Sequence, residues 1–385
     1  MGPKKKSSYT SSRQEFSDAE ADIDPGMSKR AKGGDTERPI DGGEDSWVPS
    51  YKVEDNDVYN DIHQEHNFEL QEPKDDPCYD RKQELLQDCL QLMNSVGIMK
   101  NNPLNIAVIG PPGCGKSSFL NTVFASFNDD CWCEHAKCGE FGNHEGTMGM
   151  QVSQRLKSYT KGLYYRKPDR FLLPTFVDMT GFENDSSLIN EELLHLVFRG
   201  KVEEKERLNN ILTYGRNNGI TAMRQKYRRR CSHRRINRIV VACSANPDSA
   251  IPSQLLRTVV KVANDLDITY YGVLTHTDRY KARNNKKVSD REELFLKTLG
   301  VPRNRFARVV NYCPDVDPDR TYEDRVIPTI NVPVLRLMRQ VLTPEPNDGI
   351  LYAEDYFNMF ISAVKFLLFW GFVASLLLAL SSARK

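Results

Sequence analysis

The chain has 385 residues, of which 39% are hydrophobic, and its formal net charge is +1. This balance excludes a uniformly basic nucleic-acid binder and a uniformly acidic, solvated chain. Nine cysteines are too few for a disulfide scaffold and no apolar N-terminal stretch resembles a secretory signal, so we expect reduced, cytosolic thiols.

Charge is unevenly distributed at the N-terminus. Residues 1–80 carry 10 basic and 20 acidic side chains, and only 20 of these residues are apolar. Such a segment buries too little surface to offset the entropy of ordering its backbone. The composition therefore predicts a disordered acidic tail over 1–80.

The middle of the chain alternates between helical and strand-like segments. Apolar residues at helical spacing in Arg81–Val96 predict an amphipathic helix within 81–102 that leads into the next domain. The predicted strands are Leu104–Ile109, Phe171–Asp178, Ile239–Cys243, Tyr270–Thr275 and Ala307–Asn311. The predicted helices are Lys116–Phe127, Leu188–Phe198, Gln254–Leu266, Asp290–Leu299 and Ile330–Leu342. This alternation predicts one α/β domain with a mainly parallel sheet over 103–343.

A phosphate-binding loop follows the first predicted strand. The sequence Gly-Pro-Pro-Gly-Cys-Gly-Lys-Ser over 110–117 fits G-x-x-x-x-G-K-[ST] and precedes a predicted helix. Glycines let the backbone approach a polyphosphate, and the loop N–H groups face the anion. The lysine reaches the terminal phosphates, and the serine hydroxyl ligates Mg²⁺. The predicted nucleotide contacts are Gly110, Gly113, Cys114, Gly115, Lys116, Ser117 and Ser118.

Two further segments complete the predicted phosphate and metal site. The sequence Asp-Met-Thr-Gly at 178–181 places Asp178 at a strand end, near the metal, and the Gly181 N–H near a γ-phosphate. Between this segment and the phosphate loop, Thr147 is the candidate sensor of the γ-phosphate, and Thr160 is its lesser rival. The predicted Mg²⁺ ligands are Ser117, Thr147 and Asp178.

The base is assigned from Thr-His-Thr-Asp at 275–278. GTP-binding proteins carry an N/T-K-x-D motif after a strand at this position, and its aspartate accepts two hydrogen bonds from guanine. Asp278 fits that role beside Thr275, whereas His276 stands where the motif has lysine. We therefore expect guanine binding. Because His276 replaces the lysine of the motif, an ATP-binding P-loop protein is the alternative to a GTP-binding one.

The order of these motifs resembles the interferon-induced protein 44 family of GTP-binding proteins. The resemblance rests on GPPGCGKSSFLNTV, DMTGF, VLTHTD and VVNY, and it covers about 81–343. It implies a P-loop NTPase of the G-domain class that binds GTP or GDP with Mg²⁺ and acts in innate immune responses. It also implies a nucleotide contact by Asn311.

Hydrolysis is expected to be slow. Ras-like enzymes orient the attacking water with a glutamine directly after D-x-x-G, but Phe182 occupies that position here. Turnover would need another group, self-association or a partner protein. The predicted function is a slow, Mg²⁺-dependent GTPase switch, and the alternative is a nucleotide-binding scaffold with little or no hydrolysis.

The C-terminus predicts a membrane anchor. After a linker over 344–356, residues 357–380 contain a single charge, Lys365, and are long enough as a helix to span a bilayer. This pattern predicts a tail-anchored, single-pass transmembrane protein with its G domain facing the cytosol.

Two other segments have weaker interpretations. Arg216–Arg238 contains nine basic and no acidic residues. It can be a solvated loop, contact anionic lipid, pair with the acidic tail or, least well supported because aromatic residues are sparse, bind nucleic acid. The Cys131, Cys133, His135 and Cys138 group offers zinc ligands, but its spacing is not that of a standard zinc site.

Overall fold

The computed structural model describes residues 73–95, 103–138, 156–168, 171–179, 182, 184–204, 206–228, 232–280, 286–313, 325–345, 361, 364–371 and 373. The predicted acidic tail, apart from 73–80, and most of the predicted linker lie outside these ranges. The helices are α1 Tyr79–Ser95, α2 Lys116–Asn128, α3 Lys161–Tyr164, α4 Leu188–Phe198, α5 Leu208–Lys226, α6 Ser253–Asp265, α7 Lys286–Leu299 and α8 Pro328–Leu342. The strands are β1 Asn105–Ile109, β2 Leu156–Tyr159, β3 Thr175–Met179, β4 Arg238–Ser244, β5 Thr269–Thr275 and β6 Phe306–Arg308.

The six strands form one sheet in the order β2-β3-β1-β4-β5-β6. Strand β2 is antiparallel to β3, and every other neighbouring pair is parallel. The prediction of an α/β fold with a mainly parallel sheet is therefore confirmed. Because parallel strands end at the same edge, the segments after β1, β3, β4, β5 and β6 meet there.

Helices cover both faces of the sheet, and the side chains of β1 are buried on both faces. Ile106 and Val108 belong to a core with α1, α2 and α8, whereas Ala107 and Ile109 belong to a second core with α4, α6 and α7. Alternate residues of a strand point to opposite faces. This burial on both faces explains the continuous apolar run of β1. It also holds the end of β1, and therefore the start of the loop that follows it, in a defined position.

The sequence analysis missed three elements, which are β2, α3 and α5. Strand β2 has only four residues, and α5 is a polar helix with a non-helical residue, Gly219, at φ 82°. The first part of the basic segment 216–238, up to Lys226, is thus the end of helix α5, and the last residue of the segment begins β4. In α5, Arg224 pairs with Glu192 at 2.6 Å, and the Lys226 amine lies 4.1 Å from the centre of the Tyr214 ring.

Helix α1 is attached to the domain by polar contacts as well as apolar packing on α8. The buried Lys82 forms an ion pair with Asp129, which is the residue after α2, and Gln83 donates to the same carboxylate at 3.0 Å. The Thr329 hydroxyl lies 2.9 Å from both carboxylate oxygens of Asp76. The amphipathic helix predicted within 81–102 is therefore an integral part of the described domain.

The predicted transmembrane helix over 357–380 is wrong. Within the part of the chain that the structure describes, no helix is long and apolar enough to cross a membrane. The predicted single-pass membrane localisation is corrected with it, and the lipid interpretation of 216–238 loses its premise.

Candidate nucleotide-binding site

The phosphate loop connects β1 to α2 at the carboxyl edge of the sheet. Gly113 and Gly115 have φ angles of 72° and 78°, a backbone region that favours glycine. Gly110 is required by close approach, because a Cβ there would lie 2.3 Å from the carbonyl oxygen of Ala242. The loop therefore has a fixed shape, and the N-terminus of the 13-residue helix α2 opens directly from it.

Lys116 lies along this loop. Its Nζ donates to the carbonyl oxygens of Gly110 at 2.9 Å and Pro111 at 2.8 Å, and the side chain is only 6% exposed. These bonds hold the ammonium group over the loop backbone. Its charge is thereby available to an anion bound by the loop N–H groups.

The metal candidates Ser117 and Asp178 lie together. The Ser117 hydroxyl donates to Asp178 Oδ2 at 3.4 Å, while Asp178 Oδ1 is buried and has no hydrogen-bond partner among the described residues. Burial raises the pKa of the Asp178 carboxyl, and the nearby charge of Lys116 opposes this rise. A buried carboxylate oxygen without a donor is costly, and a bound cation would satisfy it. The donor set, a hydroxyl and a carboxylate, suits Mg²⁺.

The predicted base motif packs against the phosphate loop. The Thr275 hydroxyl donates to the carbonyl oxygen of Cys114 at 2.7 Å, and a Cβ on Gly115 would lie 3.3 Å from His276 Nε2. His276 has φ 58° and its Nδ1 lies 2.8 Å from the Ser244 hydroxyl. Asp278 comes two residues later and is half-buried. The structure thus brings Thr275 and His276 to the loop.

Asn311 is tied to the helix that begins at the end of the loop. The Thr122 hydroxyl, in α2, donates to the Ser118 carbonyl oxygen at 2.8 Å, accepts from the backbone N–H of Tyr312 at 2.9 Å and lies 3.4 Å from Asn311 Oδ1. Asn311 Nδ2 is buried without a hydrogen-bond partner in the described part of the chain. The VVNY segment therefore packs on the phosphate-loop helix, and a nucleotide contact by Asn311 stays a prediction.

The remaining phosphate candidates have different outcomes. Thr147 and Gly181 lie outside the described residues, so their predicted roles stay predictions. Thr160 is exposed and comes directly after β2, whose antiparallel register pairs Leu156 with Met179 at the carboxyl end of β3. Chain direction places Thr160 toward the opposite edge of the sheet, which argues against it as the γ-phosphate sensor.

The cysteine-rich segment does not assemble the proposed zinc ligands. Arg166 donates to Cys131 Sγ at 3.0 Å and also contacts Cys133 Sγ, whereas Cys138 Sγ lies 3.2 Å from the Ser118 hydroxyl. Ser118 therefore contacts a thiol beside the loop. Of the residues described, one group has metal-ligand geometry: Glu191, His195 and Asp265. In that group Lys261 already pairs with Glu191 at 2.7 Å.

Phe182 lies in the apolar core. Its side chain is 4% exposed and belongs to the cluster that includes Met179 and Leu193. A phenyl ring in that position neither contacts a water at the phosphate site nor orients one. The structure therefore agrees with the absence of a Ras-like water-positioning side chain at this position.

Sequence reasoning missed three residues that support the site. Thr122 links α2 to Asn311, Ser244 contacts His276, and Arg291 of α7 donates to the Ser244 carbonyl oxygen at 2.7 Å. None was among the predicted contact residues, although Thr122 lies within the quoted segment GPPGCGKSSFLNTV. These contacts could not be predicted from the sequence, because the partners are far apart in the chain and meet only when the parallel sheet has formed.

No protein-family model matches the chain, and no curated protein sequence matches it. The resemblance to the interferon-induced protein 44 family therefore stays an expectation. Among solved structures, Toc33 from Arabidopsis thaliana with Mg²⁺ and GMPPNP is 13% identical, with a TM-score of 0.35 over 68% of this chain and 91% of that one. Toc33 with GDP and Mg²⁺ is 14% identical, with a TM-score of 0.35 over 68% and 90%.

A third structure comes from work on the importance of dimerization for the GTPase activity of the chloroplast translocon components atToc33 and psToc159. It is 15% identical, with a TM-score of 0.37 over 69% of this chain and 92% of the other. Likeness at these TM-scores does not transfer a function, so the function of this chain is argued from its own residues.

Proposed function

We propose that this chain is a guanine-nucleotide-binding protein that holds GTP or GDP with Mg²⁺ and hydrolyses GTP slowly, as a nucleotide switch. The observation that carries the proposal is the Ser117–Asp178 pair beside the phosphate loop. Its unpartnered, buried carboxylate oxygen lies in the part of the site where a metal would bridge protein and phosphates.

Guanine is favoured over adenine by the segment directly after β5. Thr275 packs on the phosphate loop, so the chain after it begins at the edge of the nucleotide site. Asp278 lies in that segment, and a carboxylate accepts from the adjacent N1 and N2 donors of guanine. Adenine lacks this pair of donors.

Slow turnover, or none, is the second part of the proposal. The burial of Phe182 removes the position from which Ras-like proteins orient water. A nucleotide-binding scaffold without hydrolysis is therefore the alternative. Single-turnover hydrolysis of radiolabelled GTP separates the two, because a scaffold releases no phosphate over hours. Repeating the assay over a range of protein concentrations tests whether self-association supplies the missing group.

Binding is tested with the full-length chain and a fluorescent GDP analogue. Unlabelled GTP and GDP should displace the analogue, ATP should not, and EDTA should weaken binding. Lys116→Ala should lower affinity by about 10- to 150-fold, the effect of losing one charge-assisted hydrogen bond. Lys161→Ala is the matched control, because Lys161 also donates to a carbonyl, that of Phe171 at 2.9 Å.

Three results would contradict the proposal. Displacement of the analogue by ATP as effective as that by GTP would contradict the assignment of guanine as the base. Unchanged affinity for the analogue in EDTA would contradict the requirement for Mg²⁺. Normal affinity of Lys116→Ala would remove the phosphate loop as the binding site.

A further inference from the structure

His276 is held from two sides at the edge of the nucleotide site. Its backbone lies in the left-handed region, with φ 58°, which is uncommon for a residue other than glycine. Its ring contacts Ser244 through Nδ1, and its Nε2 lies near Gly115 of the phosphate loop. The orientation of the ring is thus set by Ser244 at the end of β4, with the ring beside the phosphate loop.

The direction of the Ser244 hydrogen bond is set by its other partner. The backbone N–H of Asn246 donates to Ser244 Oγ at 3.2 Å. Within the described part of the chain, the Asn246 N–H is the other partner of this hydroxyl and can only donate, so His276 Nδ1 at 2.8 Å is the acceptor left for the hydroxyl proton of Ser244. A neutral imidazole that accepts at Nδ1 carries its proton on Nε2. The proton therefore lies on the nitrogen that faces the phosphate loop.

Ser244 is itself held in place by a buried arginine. Arg291 is 7% exposed, and its Nε donates to the Ser244 carbonyl oxygen at 2.7 Å. The same guanidinium contacts the carbonyl oxygen of Ser249 and donates to its hydroxyl at 3.1 Å. Arg291 thus fixes the start and the middle of the loop after β4. The strand register places Ser244 opposite Thr275, directly before His276.

We propose that Ser244, held by Arg291, is a positioning residue for nucleotide binding: its hydroxyl fixes His276 as the Nε2–H tautomer, so that the ring donates to the bound guanine nucleotide beside Gly115. This inference rests on the proposed function. It gives the histidine that replaces lysine in the base motif a role of its own. A lysine would bring a flexible charge, whereas a fixed imidazole brings a neutral donor with one orientation.

The test measures affinity and tautomer separately. Ser244→Ala should weaken binding of the fluorescent GDP analogue by about three- to tenfold, the effect of one lost neutral hydrogen bond. Ser244→Thr retains a hydroxyl and should restore the affinity. Ser253→Ala, which removes a hydroxyl at the first residue of α6, after the same connection, is the matched control and should bind normally.

A double-mutant cycle tests whether Ser244 acts through His276. In a His276→Gln background, Ser244→Ala should have no further effect on affinity, because the partner of the hydroxyl is already absent. Additive losses in the double variant would overturn the proposal. They would mean that Ser244 acts on the nucleotide site by another route.

The tautomer is read from two-bond ¹H–¹⁵N correlation spectra of the imidazoles, with His276→Gln identifying the signals. The nucleotide-free wild type should show the Nε2–H pattern, and Ser244→Ala should lose it. A Ser244→Ala protein that keeps both the Nε2–H pattern and wild-type affinity would overturn the proposal. If the wild type failed to bind GDP, the proposed function would fall, and the spectra would still decide whether Ser244 sets the tautomer.

Discussion

The Thr275 hydroxyl donates to the carbonyl oxygen of Cys114 at 2.7 Å, and both residues are fully buried. The same hydroxyl lies 3.2 Å from the carbonyl oxygen of Cys243. One side chain at the end of β5 thus joins the phosphate loop to the end of β4. The threonine of the base motif therefore shapes the phosphate loop before any base is bound.

Thr275→Val should lower both stability and nucleotide affinity. Valine has the same shape but no hydroxyl, so the buried carbonyl group of Cys114 loses its donor, at a cost of about 1–3 kcal/mol in the free energy of unfolding. Urea denaturation and GDP titration measure the two effects. Thr275→Ser retains the donor and is the control. A valine variant as stable and as tight-binding as the serine variant would show that this bond contributes nothing.

Gly110→Ala should destabilise the domain and abolish nucleotide binding. The added Cβ would lie 2.3 Å from the Ala242 carbonyl oxygen and 2.8 Å from Cys114 Sγ, so the loop or β4 must move. Gly162→Ala is the matched control, because a Cβ at Gly162 in α3 meets nothing within 4 Å. That control should be neutral or gain up to about 1 kcal/mol, since alanine is less costly than glycine to order in a helix. Thermal unfolding compares the two.

Phe182→Gln should not create a faster GTPase. The ring lies in an apolar cluster, so glutamine would bury an amide there and lower the free energy of unfolding by about 3–5 kcal/mol, as for other large losses of buried aromatic contacts. Phe182→Leu keeps an apolar side chain and should cost only about 1–2 kcal/mol. Single-turnover hydrolysis and urea unfolding are measured on both. A folded glutamine variant with accelerated hydrolysis would show that residue 182 reaches the site.

Asp278→Asn should change base preference more than stability. The amide places a donor where guanine also presents donors, which should lower GTP affinity by about 5- to 150-fold. Xanthosine triphosphate carries an acceptor at C2 and should bind the variant better than GTP does. Asp267→Asn is the control, because asparagine tolerates the left-handed backbone, φ 54°, found at Asp267. Unchanged GTP preference in Asp278→Asn would remove Asp278 from the base site.

The sequence was most informative where local pattern and tertiary environment agree. The bounds of α4, Leu188–Phe198, match the prediction, because a strongly apolar segment begins directly after Ser187, whose side chain caps the helix. The loop at 110–117 was placed correctly because its glycines and its flanking strand and helix occur together. These features depend on neighbouring residues and can be read without the fold.

The features that were missed depend on distant residues. Helix α5 is polar and contains Gly215 and Gly219, so its propensity is low, and its stability comes from packing on α4 and the ion pair of Arg224. Ser244 and Arg291 give no local signal for their contact with each other. The prediction of a membrane anchor is wrong for a different reason, because it rested on apolar composition alone.

The strand order also has a consequence for biosynthesis. Strand β1 carries the phosphate loop, but its hydrogen-bonding neighbours are β3 and β4, which end at Met179 and Ser244. The N-terminal part of a chain leaves the ribosome first. One edge of β1 therefore waits about 70 residues for β3, and the other edge stays unpaired until about 135 further residues have been made and β4 is complete. Contacts of such long sequence separation make folding slow. A nascent chain that is released before β4 is complete would leave one edge of β1 exposed, and such an edge invites chaperone binding or aggregation.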